Sequence, residues 1–229
     1  ALEDFHSYDN LVSDLNEFAQ NDFVLLASIG QSVEGREIYA LKLGYASDEE
    51  KPALVVVALS HAREWVGMEV AYFFIEFLIS NSSRADIDET LRSIDIWVIP
   101  AVNADGLEYS RESDRFWRKN RSPQGDTFGV DINRNFDFNF DVTDSVLPES
   151  ETYRGPAAAS ELETQALSNF IAQIDLRALI DLHSFGQYVL YPWAYTVDPS
   201  DDDQAFQNLA DSFADNIFSV SDYRDIHPH

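Results

Sequence analysis

Residues 53–59, ALVVVAL, are an unbroken run of aliphatic and β-branched side chains. The run is too short to span a bilayer and too uniformly apolar for a strand with one wet face. It therefore reads as a strand buried on both sides, the hallmark of parallel pairing. Ile94–Val102 and Leu176–Leu182 have the same character. Segments of helical spacing lie around them: Ser7–Gln20, with apolar side chains at Leu11, Leu15 and Phe18, then Glu64–Ile79, Ser160–Ile174 and Ala205–Phe218. Ser160 and Glu163 match a capping box at the start of the third helix. Phe23–Ile29 and Glu37–Leu43 read as strands joined by a turn through Gly30 and Gly35. Buried strands alternating with helices predict an α/β fold: a mixed, largely parallel central sheet with helices on both faces. No repeat or low-complexity linker divides the chain, so residues 1–229 are expected to form a single domain. The stretch from Asp105 to Tyr153, rich in Gly, Asn, Asp and charges, reads as functional loops.

Charge removes several classes of partner. Asp and Glu total 41 against 15 Lys and Arg, a formal charge of -26. Such a surface repels phosphates, so neither nucleic acid nor an anionic membrane is an expected partner. The best apolar stretch, Val66–Ile79, is broken by Glu69 and Glu76 and does not span a bilayer. There is no cysteine, which excludes disulfides, thiolate metal sites and Cys nucleophiles without settling the compartment. The chain opens on Ala1 with no secretory leader and reads as trimmed at that end.

Three metal-ligating side chains stand at strand ends. His61 and Glu64 follow ALVVVAL directly, and His183 ends LRALIDL. In an open α/β sheet, ligands bind beyond the carboxyl ends of the strands, so the three can meet in one crevice. Two His and one Glu are a known ligand set for catalytic zinc, which keeps its fourth position open. Taken singly, each His also fits a core histidine bonded to backbone, and Glu64 fits a helix N-terminus favoured by the dipole. Arg111, Arg115, Arg118, Lys119 and Arg121 hold 5 of the 15 basic residues, and Asn133 and Arg134 follow shortly. They read either as a solvated loop of scattered ion pairs or as a receptor for a carboxylate, which the planar guanidinium grips in bidentate fashion.

The motifs HAREW (61–65), NADG (103–106), RFWRKNR (115–121), DINRNF (131–136), ETYRGPAAASELET (151–164) and DLHSFGQYVLYPW (181–193), in this order, resemble the zinc metallocarboxypeptidases of the carboxypeptidase A/B type. Ser7-Tyr8 with its helix and SIGQSVEGREIYALKLG (28–44) are similar to the start of the mature enzymes. The resemblance implies one zinc ion per chain, held by His61, Glu64 and His183, with Asp131 fixing the tautomer of His61. It implies that Arg118 polarises the scissile carbonyl and that Asn133 and Arg134 grip the substrate's terminal carboxylate. Arg63 would handle the incoming peptide at an outer subsite, while Ser184 and Phe185 line subsites beside the metal. Phe185 stands where the family often has Tyr. The implied protein is a secreted monomer that trims peptides and proteins with a free C-terminus.

The resemblance also implies further chain: a glutamate that takes the proton of the water, a tyrosine that closes over the substrate and a pocket-floor residue that selects side chains. No Glu follows Glu163, so the chain reads as lacking the family's C-terminal quarter. The strand bearing that glutamate is expected between the two strands that deliver the zinc ligands. Without the base, the 229-residue chain is expected to be inactive or nearly so. Two other readings stay open: a non-catalytic, zinc-containing binder of peptide C-termini, and a related zinc deacylase of N-acyl amino acids. His227 and His229, in the divergent tail SDYRDIHPH, offer two more imidazoles or simply a frayed terminus. Asn81-Ser82-Ser83 and Asn120-Arg121-Ser122 are glycosylation sequons, the second crowded by Arg118.

Overall fold

The computed structural model describes residues 5–142, 145–193, 195–220 and 227–228. The chain divides into two compact units, residues 1–183 and 184–229. In the first, α1 (Tyr8–Phe18) leads into the hairpin β1 (Val24–Gln31) and β2 (Glu37–Leu43). Then follow β3 (Ala53–Ala58), α2 (Trp65–Ser80), α3 (Ala85–Ser93), β4 (Asp95–Ile99) and α4 (Ala104–Glu112). A two-residue hairpin, β5 (Pro123–Gln124) and β6 (Thr127–Phe128), precedes α5 (Leu162–Ile171) and β7 (Leu176–Leu182).

The sheet order is β1-β2-β4-β3-β7. The pairings β1·β2 and β2·β4 are antiparallel, whereas β4·β3 and β3·β7 are parallel. This is the expected mixed α/β sheet. Side chains alternate across it with period two, and the two cores follow from that alternation. Leu41, Leu43, Val56, Ala58, Ile96 and Val98 pack with α1, α2 and α3 through Leu11, Leu15, Trp65, Met68, Ile75 and Leu91. Ile38, Ala40, Val55, Val57 and Ile99 face the other way, towards Ala166 and Leu167 of α5. Ser7 caps α1, its hydroxyl accepting from the Asn10 N–H at 3.2 Å.

Several elements depart from expectation. Strand β4 ends at Ile99 because Pro100 has no N–H to continue a ladder. Helix α4 occupies the start of the segment read as loops, capped by Asn103 Oδ1, which accepts from the Gly106 N–H at 3.0 Å. The capping box on α5 does not form. Asn120 and Asn135, both fully buried, take its members instead. Ser160 Oγ accepts from Asn135 Nδ2 (2.9 Å) and donates to Glu161 (2.7 Å), and Glu163 accepts from Asn120 Nδ2 (3.1 Å). Strand β7 is not buried on both faces, since it pairs with β3 on one side and leaves Leu179 42% exposed. Strands β3 and β7 are direct neighbours, Ala58 beside Leu182, so no strand separates the two that carry the ligands.

The second unit holds α6 (Asp203–Val220) and the two-residue strands β8 (Tyr188–Val189) and β9 (His227–Pro228), which pair in parallel. Tyr191 stacks on Phe206 with planes 10° apart. Of His227 only the backbone is described, and His229 lies outside the described residues.

Candidate metal centre

The parallel pairing of β3 with β7 brings Ala58 and Leu182 level, so both chains leave the sheet at the same edge. Beyond β3, Leu59 adopts a left-handed backbone (φ 59°) while fully buried, a conformation that costs a branched residue energy and turns the chain sharply. The turn is held from several sides. Asn103 Nδ2 donates to the carbonyls of Ser60 and Lys119, and Ala62 N–H donates to the Arg118 carbonyl at 2.9 Å. The Glu64 N–H closes back on the His61 carbonyl at 3.1 Å, which puts both side chains on one side. Helix α2 starts at once, and Gly67 lets it lie against β7. A Cβ there would meet the Leu182 carbonyl oxygen at 2.8 Å.

The three candidate ligands converge. His61 Nδ1 lies 3.0 Å from Glu64 Oε1, His183 Nδ1 lies 3.0 Å from Glu64 Oε2, and the two Nδ1 atoms are 3.1 Å apart. Bonds of about 2.0–2.1 Å to a tetrahedral zinc set ligand atoms roughly 3.3 Å apart, so the triangle fits that ion. The charges fit it too. Burial works against a proton on His183, yet hydrogen bonds to Asp181 and Glu64 and their charges push its pKa up to about 10. The two carboxylates thus favour positive charge at this position, which a divalent metal would also supply.

Asp131, fully buried, sits behind the triangle at the start of a 3-10 turn through Ile132–Arg134. Its Oδ1 is 3.2 Å from His61 Nε2 and accepts from the Asn133 N–H, while Oδ2 accepts from Arg118 Nε (3.0 Å) and Nη2 (2.9 Å). Burial opposes its ionisation, but the bonds and charges of His61 and Arg118 hold it below the ordinary carboxylate range. Arg118 Nη1 also reaches to 3.8 Å from Glu64. Asn133 Nδ2 lies 3.5 Å from His183 Nε2, and Arg134 Nη1 donates to the Asn133 carbonyl.

Other candidates have different neighbours. Arg63 points to Phe116 and Glu151, donating to the carbonyl (2.8 Å) and the carboxylate (2.9 Å). Ser184 and Phe185 open the second unit, Phe185 with φ 75°. Of the basic cluster, Arg118 alone joins the centre; its neighbours hold the architecture. Arg115 stacks on Trp65 at 3.7 Å and Arg121 on Tyr109 at 3.6 Å, Lys119 donates to the Pro148 carbonyl, and Arg111 donates to the carbonyls of Phe5 and His6. Asp181 escaped the sequence reading although it lies on β7 only two residues before His183. Asn120 of the second sequon is fully buried and donates to Glu161 and Glu163, closed to a glycan.

A family model described as zinc carboxypeptidase matches residues 11–227. A carboxypeptidase B of Astacus astacus is 35% identical over 94% of this chain and 73% of its own length. Zinc carboxypeptidase A 1 of Drosophila melanogaster is 34% identical over 91% of this chain and 50% of its own. Among solved structures, the carboxypeptidase A of Helicoverpa armigera superposes with a TM-score of 0.92 at 28% identity, over all of this chain and 58% of that one. The chain thus spans between half and three-quarters of the length of these proteins.

Proposed function

The chain belongs to the zinc carboxypeptidase family, and from that membership we propose that it takes part in zinc-dependent removal of the C-terminal residue of peptides and proteins. The observation that carries this reading is the triangle of His61, Glu64 and His183, with both imidazole Nδ1 atoms turned inward. Zinc bound there supplies Lewis-acid polarisation of a carbonyl and activation of water near neutral pH.

The residues of the chain do the rest. Asp131 holds His61 by Nε2 and leaves Nδ1 to bind the ion, as outer partners of metal-binding histidines do. Arg118, oriented by two bonds to Asp131 and with Nη1 3.8 Å from Glu64, would offer a charged donor to the oxygen that gains charge. One such donor contributes about 3–4 kcal/mol to the transition state. Asn133 and Arg134, one turn on from Asp131, would take the substrate's terminal carboxylate and so orient the last peptide bond towards Arg118. An internal peptide bond brings no anion to that clamp, hence exopeptidase action. Arg63, at the rim with Glu151, meets the incoming peptide, and Ser184 and Phe185 line subsites. We take residues 1–229 as part of one catalytic domain, secreted and monomeric. Among the described residues, no helix is long and apolar enough to cross a membrane.

The test uses zinc-loaded protein and two peptides of one sequence, one ending in a free acid and one in an amide. Slow release of the last residue from the acid alone, abolished by a chelator, is the expected result. Equal cleavage of both peptides would overturn the exopeptidase reading in favour of deacylase-like or endopeptidase chemistry. One observation favours a second reading, zinc-dependent capture of C-termini without turnover. The carboxylates at the centre are already engaged, Glu64 with the histidines, Asp131 with His61 and Arg118, and Asp181 with His183. Calorimetry showing peptide binding with no product selects it.

A further inference from the structure

His61 presents Nδ1 to the triangle and Nε2 to a carboxylate, and His183 repeats the pattern. Its Nδ1 closes the triangle, and its Nε2 lies 3.0 Å from Asp181 Oδ2. The cause is strand geometry. Side chains at i and i+2 of extended chain share a face, and His183 is the first residue beyond β7, so the carboxylate two residues before it on β7 stands beside its ring. Asp181 is fixed in register opposite Val57 of β3, and its position is set by the same parallel pairing that delivers the ligands.

We propose that Asp181 is a positioning residue of the metal centre, accepting the Nε2–H of His183 so that the Nδ1 lone pair is kept for zinc. The inference rests on the zinc reading above and adds a second carboxylate–histidine pair to it. Charge balance supports it. Glu64, Asp131 and Asp181 carry three negative charges, and Arg118 with a divalent zinc carries three positive ones, so the centre becomes neutral when Asp181 is counted. The two pairs are not duplicates. Asp131 is fully buried and shares its charge with Arg118, whereas Asp181 is 30% exposed and sits at the strand edge. The competing neighbour is Asn133, whose amide lies 3.5 Å from the same nitrogen. Its Nδ2 is a donor and cannot accept the ring proton; only a turned amide could.

The experiment measures zinc affinity of the whole chain by competition with a fluorescent chelator, in wild type, Asp181→Ala, Asp181→Asn and His183→Ala. Loss of an outer carboxylate weakens metal binding about 10- to 100-fold, and that loss is expected for Asp181→Ala. The Asn variant keeps an acceptor oxygen without the charge and should recover part of it. In zinc-loaded protein carrying 15N-histidine, the Nε2–H of His183 should be visible in wild type and lost to solvent exchange in Asp181→Ala. An unchanged melting point of the metal-free Ala variant would show that the effect is not general unfolding. Wild-type zinc affinity in Asp181→Ala overturns the proposal and leaves the zinc reading intact. If wild type fails to bind zinc, or His183→Ala binds it equally well, the zinc reading itself falls.

Discussion

Glu163 offers a test of the interior that is separate from the chemistry of the centre. It is fully buried, and one carboxylate oxygen accepts from Asn120 Nδ2 at 3.1 Å, while Oε1 has no partner. Burial is the main cause of a pKa pushed up from 4.5 to about 7; the charges of Asp105 and Glu161 add to it, and its backbone N–H and Asn120 oppose it. A carboxyl whose folded pKa exceeds its unfolded one binds an extra proton in the folded state between those values. Its stabilising contribution is therefore complete below about pH 4.5 and is lost as pH rises through about 7. The span of about 2.5 pH units, at 1.36 kcal/mol each, corresponds to about 3 kcal/mol. Glu163→Gln removes the titration and keeps the shape. Urea unfolding of metal-free wild type and variant, followed by tryptophan fluorescence at pH 4.5, 6 and 7.5, should show wild type losing that stability relative to Gln as pH rises. The difference between the two proteins cancels the titration of the other acidic residues. Parallel pH profiles would refute the assignment of this shift to Glu163.

Four further outcomes can be checked. Gly67→Ala should cost about 1–3 kcal/mol as the new methyl pushes α2 from the Leu182 carbonyl, and it should weaken zinc binding although no ligand is changed. Trp65→Ala, which empties a buried site and removes the bonds of Nε1 to Ala62 and Ser110, should cost about 3–5 kcal/mol in denaturant unfolding. Arg134→Ala should lower kcat/KM for free-acid peptides by about 10- to 150-fold, the loss of a charged hydrogen bond of 1.5–3 kcal/mol; an unchanged value would remove Arg134 from the clamp. In a secretory host, Asn81, half-buried at the end of α2, should carry any glycan and Asn120 none, so Asn81→Gln should abolish the mass shift.

The sequence was most legible where periodicity and chemistry coincide. ALVVVAL could be nothing but a central strand, and the ligands just beyond it and beyond Leu182 had to meet once the two strands lay side by side. That adjacency was itself misread, because a strand's neighbour depends on long-range pairing that no local pattern records. The edge position of β7 was hidden for the same reason: LRALIDL is as apolar as a buried strand, while Leu179 stands half exposed. The capping box failed because Ser160 and Glu163 answer to Asn120 and Asn135, distant residues whose burial is not visible in a local motif. Arginines clustered in sequence were scattered in space, because each stacks or donates locally and Arg118 alone turns towards Asp131.

Strands β3 and β7 touch along their whole length, yet the imidazoles they deliver are separated by 122 residues of chain. At roughly 5–20 residues per second of synthesis, about 6 to 24 s elapse on the ribosome between the first histidine and the second. Throughout that interval the apolar edge of β3 awaits its mate, and no zinc ion has a cage to enter. Capture by the full set of ligands thus waits for the second histidine, and an ion arriving earlier would find only half a grip.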